Sequence, residues 1–139
     1  MAVLTKHRRT YTLDGSRVEL WRSLRRGSLI IDDVVVPVEV TSFRRLAVSA
    51  GAVRLGPSGA MLPDGPAGWE VTRRSVSVVR DGARIDVREE GFLRKTTTVD
   101  VTGEWADREL IVLTAAFALL ARQRRRRMIM IVAAASNHG

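Results

Sequence analysis

Residues 107–135 read DRELIVLTAAFALLARQRRRRMIMIVAAA, and the reading of this stretch decides the fold. Asp107 and Glu109 open it with negative charge, which suits a helix start because the macrodipole is positive there. Residues 110–121 are then apolar around the whole circumference, apart from Thr114. Five arginines follow within six residues (Arg122, Arg124, Arg125, Arg126 and Arg127), and a second apolar run fills residues 128–135. A helix that is apolar on every side must be enclosed by protein or by lipid. Length chooses between them. The first run has 12 residues, about 18 Å of helix against a hydrocarbon layer of about 30 Å. Joining both runs would carry the arginines to mid-membrane, at about 2.5 kcal/mol or more each. The stretch therefore predicts no transmembrane helix and a core helix over about residues 106–127. Residues 128–132 are left as a closing strand, a second helical segment or a segment that inserts shallowly into a membrane surface.

What surrounds that helix is read from the preceding sequence. Thr10 to Leu13, then Asp14-Gly15, then Arg17 to Trp21 has the pattern of a two-residue hairpin. Asp32-Asp33 separates two more apolar stretches, residues 28–31 and 34–40, and Pro37 marks the second as an edge strand or a bulged one. Two further strands are expected over residues 43–48 and 52–55. After residue 68 the alternation returns in residues 69–72, 75–79 and 83–87, with Arg80-Asp81-Gly82 as a turn and Glu89-Glu90-Gly91 as another, after which Phe92-Leu93 resumes. Thr96 to Val101 is β-branched throughout except Asp100. Residues 56–68, GPSGAMLPDGPAG, read as an exposed loop, because glycine and proline dominate them. The fold class that follows is α+β and mostly antiparallel β. Eight or nine short strands form a curved sheet or barrel, wrapped on a single hydrophobic C-terminal helix, as one domain over residues 1–139.

Composition bounds the function. The 139 residues carry 23 Lys and Arg against 15 Asp and Glu, a net charge of +8, and all but Lys6 and Lys95 of the basic residues are arginine. Such an excess reflects either the coding bias of a GC-rich genome or an anionic partner such as phospholipid, a phosphate ligand or nucleic acid. The absence of cysteine excludes disulfides and thiolate chemistry. The first residues, MAVLTKHRRTYTLDG, lack the apolar core of a signal peptide, so a cytoplasmic setting is expected.

From Trp69 to Ala121 the order of parts resembles the tubby C-terminal-like superfamily, particularly its LURP-one-related and phospholipid-scramblase-like members. Strands around Arg80-Asp81-Gly82 lead to the Thr-rich strand ending Val99-Asp100-Val101. The loop Gly103-Glu104-Trp105-Ala106 then leads to Asp107-Arg108-Glu109-Leu110 at the head of an apolar helix. The resemblance implies a barrel threaded by that helix, and contact with lipid. Thr97 or Thr98 stands where the family pattern has an aromatic, and no phosphoinositide-binding residue carries over by position.

Catalytic constellations are thin. His7 and His138 lie near the ends of the chain, and His7 beside Arg8-Arg9 reads as a solvated tail. Asp32-Asp33 and Glu89-Glu90 fall at turns, where solvation accounts for paired acids. No phosphate loop, nucleophile elbow or His-based metal motif is present, so a non-enzymatic module without a cofactor is expected. The candidate anion-binding residues are Arg122, Arg124, Arg125, Arg126 and Arg127. Their partner is either anionic phospholipid at the inner membrane face or nucleic acid, and a plain helix-capping role is the alternative to both. The pairs Arg8-Arg9, Arg25-Arg26, Arg44-Arg45 and Arg73-Arg74 sit at or near expected turns. If scattered, they reflect bias; if gathered on one rim, they make an anionic-partner face.

Overall fold

The computed structural model describes residues 2–92 and 94–136, with side chains as far as residue 133. Leu93 and His138 lie outside the described residues. Twelve antiparallel strands close into a barrel in which each strand pairs with its sequence neighbours and β1 pairs with β12. The strands are β1 (Ala2–His7), β2 (Thr10–Leu13), β3 (Ser16–Leu20), β4 (Arg26–Ile31), β5 (Val34–Ser42), β6 (Ala47–Ala50), β7 (Val53–Gly56), β8 (Gly59–Leu62), β9 (Gly65–Val71), β10 (Ser75–Arg80), β11 (Ala83–Glu90) and β12 (Thr96–Thr102). The helix α1 (Arg108–Ser136) runs up the inside and out through the far end.

The helix is buried as its composition requires. Residues 111–123 are all buried, and they meet the inward positions of the strands, among them Val18, Leu29, Val40, Val53, Val78 and Ile85. Along each strand these alternate with outward polar positions, so period-two strands enclose an all-round apolar helix. Thr114 is satisfied within the helix, its hydroxyl donating to the Leu110 carbonyl at 2.6 Å. One strand position is fixed by close approach: a Cβ on Gly27 would meet the Glu19 carbonyl of β3 and lie 2.6 Å from the Phe117 ring, so glycine makes room for the largest fully buried side chain. At the helix start, Glu109 accepts a hydrogen bond from Ser16 at 3.1 Å.

Several expectations are corrected. Residues 56–68 are not a loop; they hold β8 and the start of β9, joined by the tight turns Pro57-Ser58 and Pro63-Asp64. Gly59 (φ 113°) and Gly65 (φ 132°) let the strands begin directly out of those turns. His7 is not part of a solvated tail, because β1 closes the barrel and His7 pairs with Thr10. Glu89-Glu90 is not a turn: both lie in β11, and Glu89 is buried. The helix does not stop near residue 127, since arginine and methionine are good helix formers and nothing there breaks the chain. Pro37 faces β4 alone, because pairing with β6 begins at Val38, and the register shift falls later, between Val40 and Ser42.

Candidate functional site

In an up-and-down barrel, alternate connections fall at the same end. The helix enters at the end made by residues 14–15, 32–33, 51–52, 63–64, 81–82 and 103–107. It leaves through the end made by residues 8–9, 21–25, 43–46, 57–58, 72–74 and the described residues of the β11–β12 connection, 91–92 and 94–95. Contacts along α1 agree with this: Leu110 approaches Gly51 at one end, and Arg124 reaches the Arg8 carbonyl at the other. The two ends differ in charge. Five of the six connections at the entry end carry Asp or Glu and none carries a basic residue. Five of the six at the exit end carry two basic residues and none carries an acid. The arginine pairs of the sequence thus gather on one rim, around the emerging helix. Arg22, Arg94 and Lys95 join them.

The helical arginines meet this rim in different ways. Arg122 is 7% exposed; its Nη2 donates to the Thr72 carbonyl at 2.6 Å and to the Arg73 carbonyl at 3.1 Å. Burial lowers its pKa to about 10, with Arg126 acting in the same direction and Glu89 opposing. This corrects its place among the surface anion candidates: Arg122 is a latch that ties the helix to the turn before β10. Gln123 donates to the same Arg73 carbonyl at 3.1 Å and to Glu89 at 3.4 Å. Arg127 lies 3.7 Å and Lys95 3.8 Å from the Glu89 carboxylate. Arg126 donates to the Arg73 carbonyl at 3.2 Å, and Arg124 to Arg8 at 3.3 Å. The Arg125 guanidinium stands 4.6 Å from the centre of the Phe43 ring, which Arg25 approaches at 5.4 Å. Arg124, Arg125, Arg126 and Arg127 keep part of their surface in solvent, and a guanidinium with one contact has further N–H donors to offer.

Beyond the arginines the helix projects past the exit rim, with Met130 beside Arg73 and Phe92. Met128, Ile129, Met130, Ile131 and Val132 are 51–71% exposed, five consecutive apolar side chains that point in every direction around the axis. Phe92, 91% exposed, and half-exposed Trp21 lie in two of the rim connections. From the sequence these two aromatics read as core or rim packing, because nothing in the local pattern separates a rim aromatic from a core one. No described helix is long and apolar enough to cross a membrane. The barrel wall itself carries Glu39, Arg54, Glu70, Arg84 and Asp86 among its outward positions, and its apolar face is turned inward to the helix. Lipid-facing barrels have the opposite arrangement. No family model, curated protein or solved structure matches this chain, so geometry alone carries the functional reading.

Proposed function

We propose that this chain is a non-enzymatic module that docks end-on to anionic phospholipid, with its basic rim at the headgroups and its helix tip in the acyl layer. The observation that carries the reading is the helix tip: an apolar helix end exposed on all sides, emerging through a ring of arginines. Stable attachment to a membrane takes two signals, and these are an apolar insertion and a polybasic patch. From Met128 to Ser136 the helix extends 9 residues past the arginines, about 13 Å, which enters one leaflet and cannot cross the roughly 30 Å core. Burying one such side chain completely is worth about 1.5–3 kcal/mol. Each rim arginine near an anionic surface adds about 1 kcal/mol. Trp21 and Phe92 suit the interfacial depth at which the rim would sit. The inner membrane face is the setting that fits this chemistry, and the resemblance to tubby-like proteins belongs to the same reading.

The same rim favours nucleic acid through one feature, the exposed Phe92 and Trp21, on which bases can stack. That reading leaves the helix tip without a role. Co-sedimentation with vesicles separates the two. Binding to phosphatidylglycerol vesicles and not to phosphatidylcholine, weakening as salt rises, is the expected result. Retention of single-stranded DNA or RNA with no preference for anionic vesicles would overturn it.

A further inference from the structure

We infer that the seam of the barrel binds a single-chain anionic amphiphile, its head held by Lys6, Lys95 and Arg127 and its tail laid along the helix face of Leu120 and Leu113. This does not rest on the membrane reading. It starts from the closing strand. Ala2, Val3 and Leu4 pair with β12, whereas Thr5, Lys6 and His7 pair with β2. β1 therefore crosses from one neighbour to the other, and a strand that hands over its hydrogen bonds halfway leaves an opening on each side of the crossing.

Both openings exist. The upper one, about 440 Å³, lies on the exit side between Lys6, Tyr11, Lys95, Thr97, Leu120 and Arg127. The lower one, about 310 Å³, lies on the entry side between Leu13, Asp14, Val99, Val101, Glu109 and Leu113. They follow consecutive inward positions of the same strands: Thr97 then Val99 on β12, Leu4 then Ala2 on β1, Tyr11 then Leu13 on β2. The helix approaches β3 to β7, β10 and β11 most closely, and lies farther from β12, β1 and β2, as it does from β8 and β9. Leu113, Ala116, Leu120 and Arg127 recur at helical spacing and so share the face turned to the seam. Ala116, the smallest of them, sits between the two openings. Leu113 and Arg127 are about 21 Å apart along the axis, the length of a long-chain amphiphile.

The chemistry sets both the class of ligand and its direction. The upper opening has an apolar floor of buried Leu4, Tyr11 and Leu120, with three cations at its lip against the single acid Glu89. Glu89 is buried and already faces Lys95 and Arg127, so the solvent side of the lip is left to the cations. The hydroxyls of Thr96 and Thr97 add neutral donors for a carboxylate or phosphate head. At the lower opening Asp14 and Glu109 stand at the lip with Arg108, which disfavours an anion there. The head goes up and the tail goes down. A cleft of a few hundred Å³ with an apolar floor and a few convergent polar groups at its lip is an ordinary form of a small-ligand site.

The test is titration of the full chain with dodecanoate, dodecyl phosphate, dodecanol and dodecylamine, each below its aggregation concentration, followed by displacement of a fluorescent fatty acid. The two anions should bind, and the thermal midpoint should rise with ligand concentration. Dodecylamine should fail to compete. Carboxylate against phosphate is decided by which anion binds more tightly. Lys95→Glu, at an exposed position, should weaken both anions roughly tenfold, the effect of one charge contact. Ala116→Leu should weaken dodecanoate more than hexanoate by obstructing the tail; if that variant does not fold, Lys95→Glu decides alone. Equal binding of anion and amine, an unchanged affinity in Lys95→Glu, or no saturable binding at all would overturn the proposal. Met130→Asp/Ile131→Asp should lose vesicles and keep dodecanoate, which separates a failure of this site from a failure of the membrane reading.

Discussion

The two ends of the barrel meet the same geometric demand with different residues. At the entry end, positive-φ positions are filled by Asp14, Gly15, Asp32, Asp33, Gly51, Gly65, Gly82, Gly103 and Asp107, the types that adopt that conformation most readily. At the exit end, besides Gly59 and Gly91, they are filled by Arg8 (φ 58°), Leu24 (φ 58°) and Leu46 (φ 49°). A non-glycine side chain in that region costs about 1–2 kcal/mol, and Asp and Asn offset some of it by local hydrogen bonds that Arg and Leu do not make. The acids of the entry end are therefore explained by turn chemistry. Arg8 is not: it stands where glycine or asparagine would be easier, so its charge is kept against the local preference. Coding bias distributes arginine without regard to strand parity, and here parity sorts it.

The comparison can be broken where its consequence is largest. Met130→Asp/Ile131→Asp should reduce binding to phosphatidylglycerol vesicles roughly a hundredfold while leaving the thermal midpoint unchanged, because both side chains are exposed. Co-sedimentation beside a melting curve reads both. Reversing the other end with Asp32→Lys/Asp33→Lys should leave vesicle binding intact; a loss there would mean that net charge, and not the rim, drives attachment.

Next comes the latch. Arg122→Ala removes the donor shared by the Thr72 and Arg73 carbonyls, and should lower unfolding stability by about 2 kcal/mol in a denaturant titration. Arg8→Gly sharpens the argument in the opposite sense. It should raise stability slightly, by about 0.5–1 kcal/mol, while weakening vesicle binding a fewfold. A turn kept for its own sake would show no such opposition.

The smallest effect belongs to the entry end. The Arg80 guanidinium donates two hydrogen bonds to Asp64, at 2.6 and 3.1 Å, and stands 4.6 Å from the Trp105 ring. The hydrogen bond from Arg80 holds the Asp64 carboxyl below its ordinary value of 3.8, desolvation opposing. Folding favours the ionised form, so this contribution is complete above 3.8 and is lost as pH falls through the lowered folded value. Tryptophan fluorescence should change over that acid range in the native chain, and not in Asp64→Asn.

Much of this was legible in the sequence, for reasons that also mark where legibility stopped. The hairpins at Asp14-Gly15, Asp32-Asp33 and Arg80-Asp81-Gly82 are readable because the turn residues and the flanking alternation agree. The enclosed helix is readable because a run apolar on all sides admits few surroundings. β1 was hidden because Arg8-Arg9 gives no turn signal, and β8 with the start of β9 because glycine and proline read as loop. Those omissions also concealed the rim. Each arginine pair is visible by itself, but their convergence depends on the parity of the strand count, and a missing strand scrambles the ends. The latch role of Arg122 depends on which carbonyls a distant turn presents, and no local pattern encodes that.

The seam has a consequence for how the chain is assembled. The helix follows all twelve strands along the chain and yet occupies the centre, while the strand that seals the wall precedes the other eleven. Ala2 cannot find Val99 until nearly the whole sheet exists, and a sealed wall would shut out the helix that fills it. Closure therefore joins strands separated by nearly the whole sheet, and β1, bonded half to each neighbour, makes the contact of longest sequence separation, the kind that costs most loop-closure entropy to form.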